Sequence, residues 1–148
     1  MNDFIKKLID RNFTGNIYVK SSSVQGNKCS TDICNGITHF NEKKNVDIII
    51  ITRGGGSITD LWEFNNENII KAIHNSKLPI GCGIGHEKDY TICDDVCDIT
   101  ASTPTSIAYS ITSDKHLITN LHNNKDDILQ IIDNKLELSE RFSSKINL

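Results

Sequence analysis

Arginine is scarce in this chain: among 148 residues there are three, Arg11, Arg53 and Arg141, set against many Asn, Ile and Lys, a balance that reads as the imprint of an AT-rich genome. The formal net charge is −3, so the chain as a whole lacks the basic footprint that drives sequence-independent binding to phosphate backbones. Affinity for nucleic acid must then come from a local patch or from parts outside these residues. No apolar stretch reaches eighteen residues and no secretory signal precedes the helical pattern that starts at Asp3, which argues against membrane insertion and export and for a cytoplasmic setting. The cysteines, Cys29, Cys34, Cys82, Cys93 and Cys97, are odd in number and fit a reduced compartment. Cys93 and Cys97 stand at i, i+4 near His86, but the paired CxxC or HxxxH grammar of a zinc site is missing and buried thiols are the plainer reading. No Gly-Lys-Ser/Thr phosphate loop occurs, and Gly54-Gly55-Gly56 lacks dinucleotide-fingerprint spacing, so a doubly wound nucleotide-binding domain is the less attractive reading.

What is present is informative. Apolar residues make up 37% and charged residues 24%, the composition of an ordinary globular protein with room for one domain. Ile48 to Ile51 form a continuous apolar run that empties into Thr52-Arg53-Gly54-Gly55-Gly56-Ser57. A second, weaker run, Leu78 to Ile84, empties into Gly85-His86-Glu87-Lys88-Asp89. Strands without polar alternation suit a parallel sheet covered on both faces, and such sheets place their working groups in the loops after the strand ends. Three successive glycines there permit close backbone approach, so their amides can face an anion such as a phosphate.

The wider pattern alternates. Phe4, Ile5, Leu8 and Ile9 predict a helix over 3–12, and Ile17 and Val19 against Tyr18 predict a short strand over 16–20. A loop follows over 21–27, then a helix over 32–41, the central strand over 46–51, and a short helix or turn over 58–64. A helix over 66–75, a strand over 78–84 and a helical start over 91–95 complete the series. This alternation calls for an α/β fold, a mostly parallel three-layer sandwich. From Ser106 to Leu148 there is no proline or glycine, and Ile111, Ile118, Leu121, Ile128, Ile132, Leu136, Phe142 and Ile146 recur at near-heptad spacing. A long amphipathic helix is expected there, broken once around Asn123-Asn124, packing on another helix or folding back on its own domain.

The blocks Arg53-Gly54-Gly55-Gly56-Ser57 with Asp60-Leu61-Trp62 and Phe64-Asn65, then Gly85-His86-Glu87 with Asp89, Thr91, Ile92 and Asp94, then Asp98 and Thr103-Pro104-Thr105, stand in fixed order. With Val24-Gln25-Gly26 upstream, they make the chain resemble the large subunit of bacterial exodeoxyribonuclease VII from about Asp3 to about Ser110. The resemblance implies a nuclease catalytic domain over 1–110, without its first strand and the amino-terminal nucleic-acid-binding module, and the start of a helical region over 111–148. It implies that single-stranded DNA is the substrate and that the carboxy-terminal helix holds the small subunit. A separately encoded amino-terminal part is a further expected partner, and no membrane is involved.

Phosphodiester hydrolysis needs a base or positioned water, an acid for the departing oxygen, and donors for the pentavalent transition state. Arg53 offers a planar fork of donors to phosphate oxygens that lysine does not match. His86 is the natural proton carrier near neutral pH, and Asp89 is placed to orient the imidazole, hold a metal or position water. The resemblance adds Asp3 as a further active-site aspartate, at the family's distance before Gln25. The candidate catalytic set is therefore Asp3, Arg53, His86 and Asp89, with Gln25, Gly54, Gly55, Gly56, Ser57 and Thr103 toward the substrate. Asp3, Asp89 and Asp94 are candidates for gathering Mg²⁺, although the arginine and histidine serve equally without a metal.

Each has a quieter reading. Asp3 serves as an N-cap or first-turn acid, His86 as a hydrogen-bonded loop histidine, and the glycines as a tight turn. Asp60, Asp94 and Asp98 suit helix caps or ion pairs. Trp62 and Phe64 either stack on bases or pack the post-glycine turn onto the sheet. Two functional classes remain: an exodeoxyribonuclease cutting single-stranded DNA to oligonucleotides, and a truncated or split remnant that acts as an assembly piece.

Overall fold

A computed structural model describes residues 2–54, 58–84, 90–114, 116–128 and 130–131, with the backbone alone at 58–60. Helix α1, Asn2–Asp10, buries Leu8 and leaves Ile9 exposed, so the inward stripe is narrower than four apolar residues suggest. Asn12 ends it in a left-handed conformation (φ 53°), with the Phe13 amide donating back to the Leu8 carbonyl at 3.0 Å and the Asn12 amide to Ile9 at 2.9 Å. This is the Schellman arrangement, in which a short polar residue tolerates positive φ.

Helix α2, Cys29–Lys43, starts three residues earlier than its apolar period suggests. The loop before it is fastened by Asp32, whose carboxylate accepts from the Ser23 hydroxyl at 2.7 Å and the Ser23 amide at 3.0 Å. Strand β1, Ile49–Thr52, leads to a 3-10 helix, Ile58–Asn65, and then to α3, Glu67–His74, capped by the Asn66 side chain on the Asn68 amide at 2.9 Å. Strand β2, Ile80–Gly83, is followed by α4, Ile92–Val96, a two-residue strand β3, Ile99–Thr100, and α5, Pro104–Ser113. Strand β3 is too short to leave a periodic signal. The start of α5 has one in Thr103-Pro104: threonine as N-cap and proline at the first helical position, where its missing amide costs nothing.

The sheet is parallel in the order β1-β2-β3, with Ile49 opposite Ile80, Thr52 opposite Gly83, and Cys82 opposite Thr100. Ile49 and Ile51 pack with Cys29, Ile33, Ile37, Ile69, Ile73 and Cys93 of α2, α3 and α4. Ile48 and Ile50 point to the other face, against Leu8 of α1 and Ala108 and Ile111 of α5. Helices thus cover both faces, and the apolar run of β1 is explained by burial on each side. The expected α/β fold with a parallel sheet is what is observed.

Two expectations are corrected. Residues 16–20 form no strand, and Ile17, Tyr18 and Val19 are exposed. A strand exists by pairing, and among the described residues β1, β2 and β3 pair only with one another, so this segment joins no ladder. The carboxy-terminal helix breaks at Asp114, not at Asn123-Asn124: Asp114 is extended (φ −117°, ψ 115°), and its carboxylate accepts from the His116 amide at 2.8 Å, capping a new helical stretch over 117–128. That stretch returns to its own domain. The His122 ring lies 2.6 Å from the Asp47 carbonyl oxygen, and Lys125 donates to the Leu78 carbonyl at 3.2 Å and the Asp98 carboxylate at 3.1 Å. Asp47, Leu78 and Asp98 precede β1, β2 and β3, so the returning helix crosses the amino edge of the sheet. Ile132, Leu136, Phe142 and Ile146 lie outside the described residues.

Candidate active site

The loops of interest leave the opposite, carboxyl edge. β1 runs directly into Arg53, whose amide donates to the Gly83 carbonyl at 3.4 Å and whose side chain is 4% exposed, while Gly54 beside it is exposed. Arginine is seldom fully buried unless it is paired, which sets Arg53 apart from an ordinary surface arginine. The effect of Arg53 is felt at Cys29, the first residue of α2. Burial pushes that thiol up to about 11 and the Glu63 carboxylate adds to the rise, while the Arg53 guanidinium pulls it down. The start of α2 and the end of β1 therefore share one rim. Gln25 is exposed on the same approach, next to Gly26, whose φ of +73° makes the turn and whose carbonyl accepts from the Cys29 amide at 2.9 Å.

Gly83 brings in a third element. A Cβ there would stand 2.6 Å from Ile107 Cγ2 and 2.9 Å from the Thr103 carbonyl oxygen, so the first turn of α5 lies directly on the end of β2. The Thr103 hydroxyl is engaged as a cap, accepting from the Ser106 amide at 3.0 Å and pairing with the Ser106 hydroxyl at 2.8 Å. α1 runs alongside α5 in the same direction: Arg11, just past the end of α1, donates to Thr112 and Ser113 at the end of α5 and lies 4.3 Å over the Tyr109 ring. Their first turns, with Asp3 exposed on α1 and Thr103 capping α5, are accordingly at the same end of the molecule as Arg53.

Of the candidate set, Asp3, Arg53, Gln25, Gly54 and Thr103 are placed on or toward this edge. His86, Asp89, Gly55, Gly56 and Ser57 lie outside the described residues. What flanks them is well fixed. Ile84 is buried at the entrance to the histidine loop, and Thr91 is buried at its exit, where its amide and hydroxyl donate to Asp94 Oδ2 at 2.8 and 2.9 Å. Asp94 Oδ1 accepts from the Thr100 hydroxyl at 2.9 Å. Both oxygens of Asp94 are thus committed to capping α4 and steadying β3. Asp98 accepts from the Ile80 amide at 2.8 Å as well as from Lys125. Among the described residues no three metal-ligating side chains converge. Cys29, Cys82 and Cys93 are core residues, and burial raises the Cys93 thiol far above its ordinary range.

The two aromatic residues after the glycines separate. Phe64 is fully buried and packs the turn onto the sheet, whereas Trp62 is 71% exposed. Sequence reading gave no role to Asn65 and Asn66, yet they join three helix starts: Asn65 accepts from the Ile92 amide at 2.8 Å, and Asn66 caps α3 while accepting from the Ser30 hydroxyl at 3.0 Å. The signal available was an N-cap asparagine immediately before the apolar period of 67–74.

Fold and edge together define an α/β domain whose candidate site is built from the carboxyl ends of parallel strands and the starts of α1, α2 and α5. The family model for exonuclease VII, large subunit, matches residues 1–147, and the chain belongs to that family. Among its relatives are proteins named exodeoxyribonuclease 7 large subunit from Clostridium beijerinckii (49% identical over 104 residues, 70% of this chain and 26% of the relative), Clostridium novyi (39% over 139 residues, 93% and 35%) and Clostridioides difficile (42% over 126 residues, 84% and 31%). The chain spans about a quarter to a third of the length of these relatives.

Proposed function

We propose that the chain supplies the catalytic domain, residues 1–110, of an exodeoxyribonuclease that hydrolyses single-stranded DNA to oligonucleotides in the cytoplasm. The observation that carries this reading is the buried Arg53 at the mouth of the glycine loop, on an edge shared with the starts of α1, α2 and α5. In this scheme the Arg53 fork and the amides of Gly54, Gly55, Gly56 and Ser57 hold the phosphate oxygens and take up charge in the transition state. His86 moves the proton between the attacking water and the departing oxygen, Asp89 orients the imidazole, and Asp3 faces the site from the first turn of α1. Gln25 and Thr103 border the path of the strand. Asp89 and Asp94 are the residues to which Mg²⁺ would fall. Asp94 is already shared between Thr91 and Thr100, so a metal held there would displace one of those bonds.

Partners follow from the same reading. Since 117–128 docks on its own sheet, the surface offered to a small subunit starts at the exposed Ile128 and Ile131. A second reading, an assembly piece completed by a separately encoded amino-terminal part, is favoured by the outer edge of β1, an apolar strand paired on one side only among the described residues. Hydrolysis of end-labelled single-stranded DNA by the chain, alone and with the small subunit, tests between them. Cleavage abolished by His86→Ala supports the nuclease; no cleavage by the folded chain under either condition supports the assembly piece.

A further inference from the structure

Trp62 is the sole tryptophan of the chain and the most exposed large apolar side chain among the described residues, at 71%. It stands on the 3-10 helix Ile58–Asn65, where residues three apart share one face, so Trp62 and Asn65 lie one above the other. Asn65 Oδ1 accepts from the amide of Ile92, the first residue of α4, at 2.8 Å. The face that carries Trp62 therefore meets the start of α4, where Ile92 and Tyr90 are exposed as well. The Tyr90 hydroxyl donates to Asp95 Oδ1 at 2.6 Å, which holds that ring in place, and among the described residues no other aromatic ring lies on it or on Trp62. Two aromatic side chains and an isoleucine thus form an uncovered apolar patch, a feature that marks binding surfaces.

Its place in the molecule selects the occupant. Glu63, next to Trp62, and Arg53 both act on the Cys29 thiol, so the patch borders the carboxyl edge of the sheet where Arg53 is buried. The returning helix 117–128, with Ile128 beyond it, belongs to the opposite, amino edge, and a protein partner bound there leaves Trp62 uncovered. We propose that Trp62, with Tyr90 beside it, stacks on an unpaired base of the DNA strand whose phosphate Arg53 holds; this rests on the nuclease reading above. Every base has a π-face, so stacking serves an enzyme that degrades strands of any sequence. Glu63 and Asp95 repel phosphate, so the patch takes a neutral base and leaves the backbone to the arginine.

The test reads Trp62 directly, since no other indole contributes to the emission. Oligothymidylate is titrated into the full chain in the His86→Ala background, which keeps the strand intact, beside an abasic strand of equal length. Anisotropy of labelled oligothymidylate then gives Kd for Trp62→Leu and Trp62→Phe in the same background. The expected result is quenching by oligothymidylate and none by the abasic strand. Trp62→Leu weakens binding by about 5- to 100-fold with the slope of log Kd against log salt unchanged, because no phosphate contact is lost, and Trp62→Phe recovers most of the affinity. Emission that ignores a bound strand, a Trp62→Leu variant that binds as tightly as the tryptophan form, or quenching by the small subunit in place of DNA overturns the proposal. A folded chain that binds no strand overturns it too. Quenching by DNA in a chain that, with His86 intact and the small subunit present, cleaves nothing supports the stacking site while the nuclease reading fails; cleavage without quenching does the reverse.

Discussion

The carbonyl oxygen of Thr103 stands 2.9 Å from where a Cβ on Gly83 would lie, so the first turn of α5 seats on the end of β2 only because residue 83 has no side chain. The contact is with backbone, which cannot swing aside as a flexible side chain would. Gly83→Ala is therefore expected to destabilise the domain by about 1–3 kcal/mol through overpacking. Denaturant unfolding measures the loss. Stability within error of the parent would show that α5 shifts without cost and that the seat does not fix Thr103.

If Arg53 holds phosphate oxygens as proposed, the geometry of its guanidinium counts beyond its charge. Arg53→Lys keeps a cation but loses the fork of donors. Cleavage of single-stranded DNA is expected to fall by at least about tenfold in kcat/KM, a loss of about 1.4 kcal/mol in transition-state stabilisation. A lysine variant of full activity would mean that a point charge suffices and that Arg53 is retained for packing.

The helix over 117–128 is held at the amino edge of the sheet by Lys125 and His122. Lys125→Met removes one cation from a partly exposed pair, and pairs of this kind contribute about 0–1 kcal/mol. Global stability is thus expected to change little, while amide exchange within 117–128 speeds up selectively. Unchanged exchange there would show that Leu117 and other apolar contacts alone hold the helix. Asp98→Ala is expected to cost more than Lys125→Met, because it also strips the acceptor from the Ile80 amide.

Hydrogen bonds from the hydroxyl and amide of Ser23 hold the Asp32 carboxyl below its ordinary value of 3.8. A depressed folded-state pKa contributes stability that is fully present above the unfolded value and is lost as the pH falls through the folded one. Stability of the parent is expected to decline below about pH 4 with a component that Asp32→Asn removes. Unfolding midpoints measured across that range for the two proteins decide it, and parallel acid limbs would rule Asp32 out as a contributor.

Much of the architecture was readable from residues. The unbroken isoleucines of β1 announced a strand buried on both faces. Four things escaped. Residues 16–20 have the composition of a strand but pair with nothing among the described residues, and pairing is not a local property. β3 is only two residues long and owes its existence to β2. Asn65 and Asn66 act across 27 and 36 residues of sequence, to Ile92 and Ser30, and no period records a bond of that kind. The polar pair Asn123-Asn124 looks like the natural break in the tail, yet the break falls at Asp114, which caps the next helix.

Whether Arg53 and His86 act together on a phosphodiester bond is decided by hydrolysis of end-labelled single-stranded DNA by the purified chain with a small subunit. Release of oligonucleotides is expected, abolished in His86→Ala and reduced at least about tenfold in Arg53→Lys. Hydrolysis that persists unchanged in His86→Ala, or its absence from a folded parent chain, would contradict it.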